Sequence, residues 1–400
     1  MPSAQLLDPH RTQPFGPWPY YAPDEIAATV RVLESGQVNY WTGQEAREFE
    51  KEYARAAACD HAIALCNGTS ALELAIYALG IQADSEIITT PRTFIASASC
   101  AVMRGCIPVL ADVDPVSQNI TAESIAKVIS PKTKAIIAVH LAGWPCDMDP
   151  IMELADRHGL KVIEDCAQAN GATYKGRPVG GLGHVAAFSF CQDKIITTGG
   201  EGGMLTTNDR ALWERAWSFK DHGKNWDSVY NHKHEPGFRW LHDSFGTNWR
   251  MTELQAVIGR AQLRKLPDWT RQRRANMARL NEVLGRFDCI RTTPTPAEIG
   301  HAAYKAYAFV RPERLKDGWT RDRIMNEITE RGIPCFSGSC SEIYLEKAFT
   351  ESAFALPKRL PVAQHLGETS LMFVVHPTLT EQNLDDTVNV VSAVLKEASK

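Results

Sequence analysis

Residues 134–165 read KAIIAVHLAGWPCDMDPIMELADRHGLKVIED. Two runs rich in apolar and β-branched residues, 134–140 and 160–165, flank a segment of helix length at residues 148–158. This order is typical of a βαβ unit, in which a crossover helix joins two parallel strands. The stretch therefore predicts that at least part of the chain folds as a parallel sheet covered by helices.

The same alternation extends in both directions from this unit. We expect further strands at residues 62–66, 86–90, 107–113 and 185–190, and helices at residues 70–79, 95–103 and 122–129. Repeated βα units of this kind predict an α/β fold with a mostly parallel sheet between two layers of helices. Ligands of such sheets bind beyond the carboxyl ends of the strands.

The C-terminal part of the chain has fewer elements and a different order. A long amphipathic stretch at residues 252–284 is expected to break near Pro267. Beyond it we expect strands at residues 307–310 and 370–375 and helices at residues 321–330 and 382–397. These patterns predict a large domain over residues 1–262 and a smaller α+β domain over residues 263–400. Residues 224–246 lack periodicity and are predicted to form a long loop.

Composition limits which binding partners and which cellular compartment we expect for this chain. The chain has 400 residues, 44% of them apolar, and a net charge of −4, which suits a two-domain globular protein and gives no reason to expect nucleic acid or a membrane as partner. No apolar run approaches the roughly 20 residues of a membrane span, and the first 25 residues show no secretory signal. The ten cysteines form no CxxC pair and no zinc-like spacing, so we expect free thiols, a cytoplasmic location and no metal. Cys335 and Cys340 leave one local disulfide open.

Lys194 is the first candidate for chemistry. It follows the predicted strand at residues 185–190 and precedes two threonines and the glycine cluster at residues 199–203. Such a position suits an amine that becomes partly desolvated, loses its proton and attacks a carbonyl. Taken alone, the position favours the interpretation as a surface lysine at a strand end, and the rest of the chain reverses this.

Three further strand ends carry groups that such an amine would use, and the first precedes a helix start. Gly68, Thr69 and Ser70 open the helix after the first strand, and a helix start with small hydroxyl residues favours a phosphate group. The alternative is an ordinary helix cap. The chain has no Walker A motif and no clear GxGxxG after a strand, so a nucleotide-dependent oxidoreductase is not favoured.

Asp165, Gln168 and Phe94 complete the set. Asp165 leaves a buried strand and would pair with a protonated ring nitrogen, as in enzymes that use pyridoxal 5'-phosphate (PLP). Gln168 could reach the same ligand, and Phe94 could stack on its ring or simply pack in the core. Phosphate site, stacking ring, carboxylate and lysine at successive strand ends together indicate PLP.

These residues lie in motifs that resemble the DegT/DnrJ/EryC1/StrS family of sugar aminotransferases, and the resemblance runs nearly end to end. The most specific motifs are EDCAQ at 164–168, FSF at 188–190 with Lys194, and GEGG at 200–203. Further matches are residues 36–50, NGTSAL at 67–72, TFIA at 93–96, HLAG with DMD at 140–149, and GTNWRM at 246–251. The chain departs from the family pattern at Ala142, at His184 and at the Gly199–Gly200 pair. These departures concern the residues around the cofactor site and the choice of substrate, not the cofactor itself.

The resemblance implies a fold-type I PLP-transferase with a seven-stranded sheet. It implies that Lys194 carries the cofactor as a Schiff base, that Asp165 binds the ring nitrogen, that Gln168 approaches the ring hydroxyl and that Phe94 stacks on the ring. It further implies a phosphate site in which Ser189 joins Gly68, Thr69 and Ser70. Asn248 is expected to reach the cofactor phosphate of the neighbouring subunit, so the active unit should be a homodimer.

The function implied is amino transfer from L-glutamate to a keto sugar. The expected acceptor is a nucleotide-linked keto-hexose, used for aminodeoxysugars of surface polysaccharides (O-antigen or lipopolysaccharide) or of antibiotics. Alternatives are a cyclitol ketone, an acidic keto sugar, or a non-catalytic regulatory member of the fold. The dehydratases of this fold carry His in place of the lysine, so Lys194 favours transamination. Lys224, His232, Lys233 and His234 could meet a diphosphate, and residues 335–344 could contact the sugar.

Overall fold

The computed structural model describes residues 10–233 and 240–400. Fourteen strands can be numbered along these residues: β1 (His61–Leu65), β2 (Glu86–Thr89), β3 (Ile107–Leu110), β4 (Thr133–Val139), β5 (Lys161–Asp165), β6 (Thr173–Tyr174), β7 (Arg177–Pro178), β8 (Val185–Ser189), β9 (Gly203–Thr207), β10 (Ile290–Thr292), β11 (Ile299–Gly300), β12 (Ala306–Val310), β13 (Cys335–Phe336) and β14 (Ser370–Phe373). The α-helices of the same residues are α1 (Pro23–Ser35), α2 (Glu45–Ala56), α3 (Gly68–Ala78), α4 (Ala96–Met103), α5 (Ala122–Ala126), α6 (Met148–His158), α7 (Arg210–Lys220), α8 (Trp226–Tyr230), α9 (Glu253–Leu284), α10 (Arg321–Glu330), α11 (Lys347–Thr350), α12 (Pro361–Thr369) and α13 (Glu381–Ala398).

The large sheet has seven strands in the order β1-β9-β8-β5-β4-β2-β3. Every strand except β9 runs parallel to the others, because β9 pairs antiparallel with both β1 and β8. Apolar side chains of the strands and of α3 and α6 form its core. The predicted α/β class with a mostly parallel sheet is confirmed, and so are the seven strands of the fold-type I architecture.

The sequence did not predict the antiparallel strand β9. It is short, begins at Gly203 and follows the glycine cluster, so its pattern differs from the β-branched runs of the other strands. Gly203 pairs with Leu65 of β1 and with Ser189 of β8. A Cβ at Gly203 would lie 2.3 Å from the carbonyl oxygen of Asn67, so glycine is what allows β9 to begin between the ends of β1 and β8 here.

The predicted break in the long helix at Pro267 is wrong. Helix α9 continues through Pro267 over 32 residues. Proline removes one backbone hydrogen bond, but Leu266 and Thr270 on either side are buried, while Pro267 itself is exposed. Helix α9 packs against α1 and α2 near its start and against α13 further along. This packing stabilises the continuous helix in spite of the proline.

Residues 224–246 do not form a loop throughout. Trp226 and Val229 of α8 pack against the core around the β1 side of the sheet. Trp226 also contacts Trp213, with ring centroids 5.8 Å apart. A five-residue helix is too short to produce a periodic pattern, which is why the sequence did not predict it. His234, which was considered for a diphosphate, lies outside the described residues.

The C-terminal elements form an antiparallel sheet in the order β10-β12-β14-β13, and α10 and α13 pack with it. The predicted strands and helices are present, with α10 matching its predicted bounds. The domain boundary between residues 262 and 263 stays a prediction, and it falls inside α9. All ten cysteines are free thiols, so the local disulfide left open between Cys335 and Cys340 is absent. Within residues 10–233 and 240–400, no helix is long and apolar enough to cross a membrane.

Candidate active site

A cavity of about 1130 Å³ lies at the carboxyl ends of β1, β4, β5 and β8 and reaches the small C-terminal sheet. Its position agrees with the rule for ligand sites in parallel sheets. Eight of the nine residues predicted for the site line it: Gly68, Thr69, Ser70, Phe94, Asp165, Gln168, Ser189 and Lys194. Asn248 does not line this cavity.

Lys194 extends into the cavity from the turn after β8. Its Nζ lies 3.5 Å from a carboxylate oxygen of Asp193 and 5.2 Å from the ring centroid of Tyr304. Burial alone would raise the pKa of Asp193, but the positive charge of Lys194 and a hydrogen bond from the Tyr304 hydroxyl outweigh it, so this pKa lies below its ordinary value. The amine therefore sits beside an ionised carboxylate at the edge of an apolar wall.

The N-terminus of α3 forms the second part of the cavity wall. The side chain of Asn67 caps the helix by accepting a hydrogen bond from the backbone N–H of Ser70, at 2.8 Å. The first amides of a helix have no carbonyl one turn earlier to bind, so those of Gly68 and Thr69 are available to an anion. A Cβ at Gly68 would lie 2.7 Å from the Cβ of Ser189, so glycine is what allows these two segments to meet.

Ser70 contributes less than predicted to an open phosphate site. Its amide is taken by Asn67, and its hydroxyl lies 3.4 Å from the thiol sulfur of Cys66. Ser189 is mostly buried, and its Oγ accepts a hydrogen bond from the amide of Cys191 at 3.3 Å. Its hydroxyl hydrogen stays available to a ligand in the cavity.

Asp165 ends β5 as a buried carboxylate. Burial raises its pKa, and a hydrogen bond from the Ser97 hydroxyl at 2.7 Å, with one from the amide of Ala167 at 3.1 Å, lowers it. The charge of Lys194 acts on it in the same direction. A buried carboxylate that faces a cavity is stabilised by a cation in that cavity, which suits a protonated ring nitrogen.

Glu164, next to Asp165, fixes the end of β5 from the other side of the sheet. Its carboxylate accepts backbone hydrogen bonds from Gly180, Leu182 and Gly183 and pairs with Nε2 of His140 at 3.1 Å. Nδ1 of His140 accepts the amide hydrogen of Cys146. Although Cys166 also comes within 4.8 Å of His140 and Glu164, these hydrogen bonds already occupy both ring nitrogens, so the cluster is a structural support.

Gln168 offers the cavity a hydrogen-bond donor, and Phe94 offers it an aromatic ring. The side-chain oxygen of Gln168 accepts the backbone hydrogen of Ala142 at 2.8 Å and so stabilises that residue at a positive φ of 56°. This leaves the amide nitrogen of Gln168 as a donor toward the cavity. Phe94 is 68% exposed, so the core-packing alternative does not apply to it, and its ring is open for stacking.

The C-terminal part of the chain supplies further wall residues, of which the sequence analysis missed Tyr304 and Lys305. Tyr304 and Lys305, just before β12, line the cavity, as do Phe336 and Cys340 of the 335–344 segment. The amide of Ser339 donates to the hydroxyl of Tyr307 at 2.9 Å, which holds this segment against the domain. The only available signal was a Tyr–Lys pair entering a buried strand, and nothing local to it indicates the distant residues it meets.

Asn248 lies on the surface beside the cavity-bearing domain, where it forms a β-bridge with Asp221. Asp221 accepts hydrogen bonds from Arg250 at 2.7 Å and from Lys224 at 3.0 Å, both buried or nearly so. In the single chain, Lys224 therefore serves this ion-pair cluster, and its proposed contact with a diphosphate gains no support.

Trp18 connects the N-terminal segment to the backbone of Lys194. Its indole N–H donates to the backbone carbonyl of Lys194 at 3.0 Å. Its ring makes an edge contact with Trp269 of α9 at 5.3 Å and lies 4.7 Å from the guanidinium of Arg273. This one side chain connects the turn that carries Lys194 with the long helix.

Comparison with known proteins agrees with this geometry. The model of the DegT/DnrJ/EryC1/StrS aminotransferase family matches residues 19–393. GDP-perosamine synthase from Caulobacter vibrioides is 38% identical over 348 residues, which are 87% of this chain and 89% of that protein. A dTDP-3-amino-3,4,6-trideoxy-alpha-D-glucose transaminase from Streptomyces venezuelae is 34% identical over 363 residues, covering 87% and 89% of the two chains.

A solved structure gives the same result for the whole fold. The X-ray structure of an aminotransferase from Psychrobacter cryohalolentis superposes with a TM-score of 0.94 at 56% identity, covering 96% of this chain and 99% of that one. The match includes both the large sheet and the small C-terminal sheet, since almost no part of either chain is left out. The chain is an aminotransferase and belongs to the DegT/DnrJ/EryC1/StrS aminotransferase family.

Proposed function

We propose that this aminotransferase uses PLP and transfers the amino group of L-glutamate to a nucleotide-linked keto-hexose. The observation that carries the proposal is the cavity in which Lys194, Asp165 and the N-terminus of α3 meet. These groups supply an amine, a buried carboxylate and free helix amides. They match the aldehyde, the ring nitrogen and the phosphate of PLP in chemical type.

Bound PLP would supply an electron sink next to the reacting carbon. In the proposal Asp165 keeps a proton on the ring nitrogen, because its buried carboxylate gains a cation there. Lys194 would hold the cofactor through its Nζ, and the same Nζ would accept and return the proton of the reacting carbon. Phe94 and Gln168 orient the ring, and Gly68, Thr69 and Ser189 bind the phosphate, with Ser70 supporting the turn.

The size of the cavity and the relatives support the acceptor class. A volume of about 1130 Å³ exceeds that of a typical small-molecule site and leaves room for an acceptor beside a cofactor. The Caulobacter and Streptomyces relatives are named for sugars carried on GDP and dTDP. Phe336, Gly338, Ser339 and Cys340 line the same cavity, and in the proposal they contact the sugar.

The proposal includes a homodimer and a cytoplasmic location. Asn248 lies outside the cavity of its own chain, which fits a role at the cofactor phosphate of a neighbouring subunit. Ten free thiols are typical of a reducing compartment.

The test is covalent trapping followed by a half reaction. Purified protein loaded with PLP should be yellow, and borohydride should fix the cofactor to the peptide that contains Lys194, as read by mass spectrometry. In a separate sample that has not been reduced, glutamate alone should release one equivalent of 2-oxoglutarate per site. A panel of nucleotide-linked keto-hexoses, with cyclitol ketones and acidic keto sugars alongside, identifies the acceptor.

Two variants control this experiment. Lys194→Ala should abolish the covalent adduct and the half reaction, whereas Lys358→Met, which alters an exposed lysine outside the cavity, should change neither. A colourless protein that takes up no PLP would contradict the proposal. Amination of a cyclitol ketone in preference to every nucleotide sugar would contradict the acceptor class only.

A further inference from the structure

A second lysine reaches the cavity from the small domain. Lys305 follows Tyr304 directly and lies at the start of β12, and its Nζ is 4.9 Å from the centroid of the Tyr304 ring. Within the part of the chain that the structure describes, no hydrogen bond or ion pair of this ammonium is formed. The role proposed above for Lys194 does not use it.

The surroundings of Lys305 carry an excess of positive charge. Asp193 is the nearby carboxylate, and it is already engaged by Lys194 and by the Tyr304 hydroxyl. Arg273 is buried behind Tyr304, where its Nη1 donates to the Tyr304 carbonyl at 3.4 Å. Its Nε and Nη2 have no hydrogen-bond partner among residues 10–233 and 240–400. Three cations, Lys194, Lys305 and Arg273, thus stand against two carboxylates, Asp193 and Asp165, in a mostly buried region.

The protonation of Lys305 is consistent with this charge balance. Burial lowers its pKa to about 8, with Arg273 and Lys194 adding to the effect and Asp193 opposing it. The amine therefore still carries its proton at neutral pH. A buried cation without a counter-charge costs free energy, which an anion bound in the cavity would recover.

The position of Lys305 indicates which anion this is. The Nζ atoms of Lys194 and Lys305 lie 5.2 and 4.9 Å from the centroid of the same Tyr304 ring, so the two amines are close to one another. In an amino acid, the α-carboxylate is one bond from the carbon that reacts. In a nucleotide-linked hexose, the sugar ring separates the keto carbon from the diphosphate. Proximity to Lys194 therefore favours the carboxylate.

We propose that Lys305 binds the α-carboxylate of the amino donor and the same group of the keto acid product, with buried Arg273 reinforcing the positive potential. This assignment rests on the proposed function. Because the carboxylate and the reacting carbon would then be held by two lysines from different domains, Lys305 would restrict donors to α-amino acids. It is a binding residue, so its loss should affect donor affinity more than turnover.

The test measures binding of glutarate, a five-carbon dicarboxylate that cannot react. It is titrated by calorimetry into PLP-loaded wild type, Lys305→Met, Lys305→Arg and Lys358→Met, whose folding is checked by circular dichroism. Lys305→Met should bind glutarate roughly 10- to 100-fold more weakly, the range for one charge-assisted hydrogen bond. Lys305→Arg should retain most of the affinity and Lys358→Met all of it. In turnover, Lys305→Met should raise KM for glutamate and leave KM for the acceptor nearly unchanged.

Two outcomes would overturn the assignment. If Lys305→Met left glutarate binding intact but weakened binding of UDP and GDP, the amine would serve the nucleotide phosphates. If neither class of ligand were affected, Lys305 would have no anion-binding role. Failure of the proposed function is distinct from both, because it would appear as wild-type protein that releases no 2-oxoglutarate from glutamate.

Discussion

Asp165 shows how one carboxylate can be held ready for a cation. The hydroxyl of Ser97 and the amide of Ala167 each donate to it and oppose the effect of burial, although the pKa of this carboxyl stays above its ordinary value. Each donor lowers the pKa that burial raises. The charge of Asp165 therefore depends on its neighbours as well as on any cofactor.

Asp165→Asn should lower kcat for transamination by about 100-fold or more, the scale expected when one preorganised electrostatic group is lost. The amide has a similar shape but cannot balance a positive ring, while Lys194 and the phosphate site remain to hold PLP. Steady-state kinetics and the absorption spectrum check this together. Ser97→Ala is the milder comparison, since it removes one donor and raises the pKa of Asp165 further. A full-speed Asp165→Asn enzyme with bound PLP would disprove the assigned role.

The pH dependence of donor binding follows from Lys305. Its protonated form attracts a carboxylate, and its pKa is about 8, so KM for glutamate should be flat below pH 8 and rise above it by up to tenfold per pH unit. The charged neighbours Asp193, Lys194 and Arg273 are present in every variant. Lys305→Arg should therefore stay flat to higher pH, since arginine keeps its charge. An identical rise in the arginine variant would assign the titration to another group.

Among the elements, strand ends were the easiest part of the site to predict. Asp165 and Lys194 follow runs whose β-branched content marks a buried parallel strand, and parallel strands bring their carboxyl ends to one edge. Tyr304 and Lys305 reach the same cavity only because the small domain packs against that edge. Such a long-range contact leaves no local trace in the sequence.

Helix α9 illustrates the opposite error, in which a local rule is overruled by packing. Pro267 lacks the N–H that would bind the carbonyl of Leu263, yet the helix continues. The short helix α8 and the strand β9 were missed for a related reason. Tertiary contacts, with Trp213 and with the ends of β1 and β8, stabilise segments whose own patterns are weak.

Two exposed prolines should give opposite changes in stability. Pro267→Ala restores a backbone hydrogen bond inside α9 and should stabilise the protein by about 2 kcal/mol. Pro361→Ala removes a residue suited to the first turn of α12 and should destabilise it by about 0.5 kcal/mol. Thermal unfolding of the two PLP-loaded variants provides the comparison. A loss of stability in Pro267→Ala would mean that the proline fits a local bend of α9.

At the scale of the whole molecule, exposed aromatic side chains and the position of Asn248 both favour a second subunit at the same surface. Trp240 and Phe245 are 95% and 98% exposed, which is unusual for such large side chains in one region. Both lie within eight residues of Asn248 along the chain. A second subunit covering this region would bury the aromatics and bring Asn248 to a neighbouring site.

Mixed dimers test this arrangement directly. A Lys194→Ala subunit paired with an Asn248→Ala subunit should recover about half of the wild-type activity, although each homodimer is impaired. If Asn248 acts across the interface, one of the two sites then contains both intact residues. Differently tagged subunits are co-expressed, isolated by both tags and assayed with glutamate and the acceptor.

The matched control pairs Lys194→Ala with Asp165→Asn. Both residues line one cavity of the same chain, so every site of that mixed dimer keeps one defect and no recovery is expected. Equal activity in the two mixed dimers would mean that Asn248 acts within its own subunit, and sedimentation of the wild type as a monomer would exclude the dimer.

The bond from the Trp18 indole to the carbonyl of Lys194 also has an optical consequence. A coloured cofactor attached to this lysine would quench the fluorescence of a tryptophan so near, and Trp18 would be among the most affected of the ten. The emission lost on substituting Trp18 by Phe would then isolate a signal from the N-terminal segment. The fluorescence of Trp18 would therefore report loading and release of the cofactor in real time without any added dye.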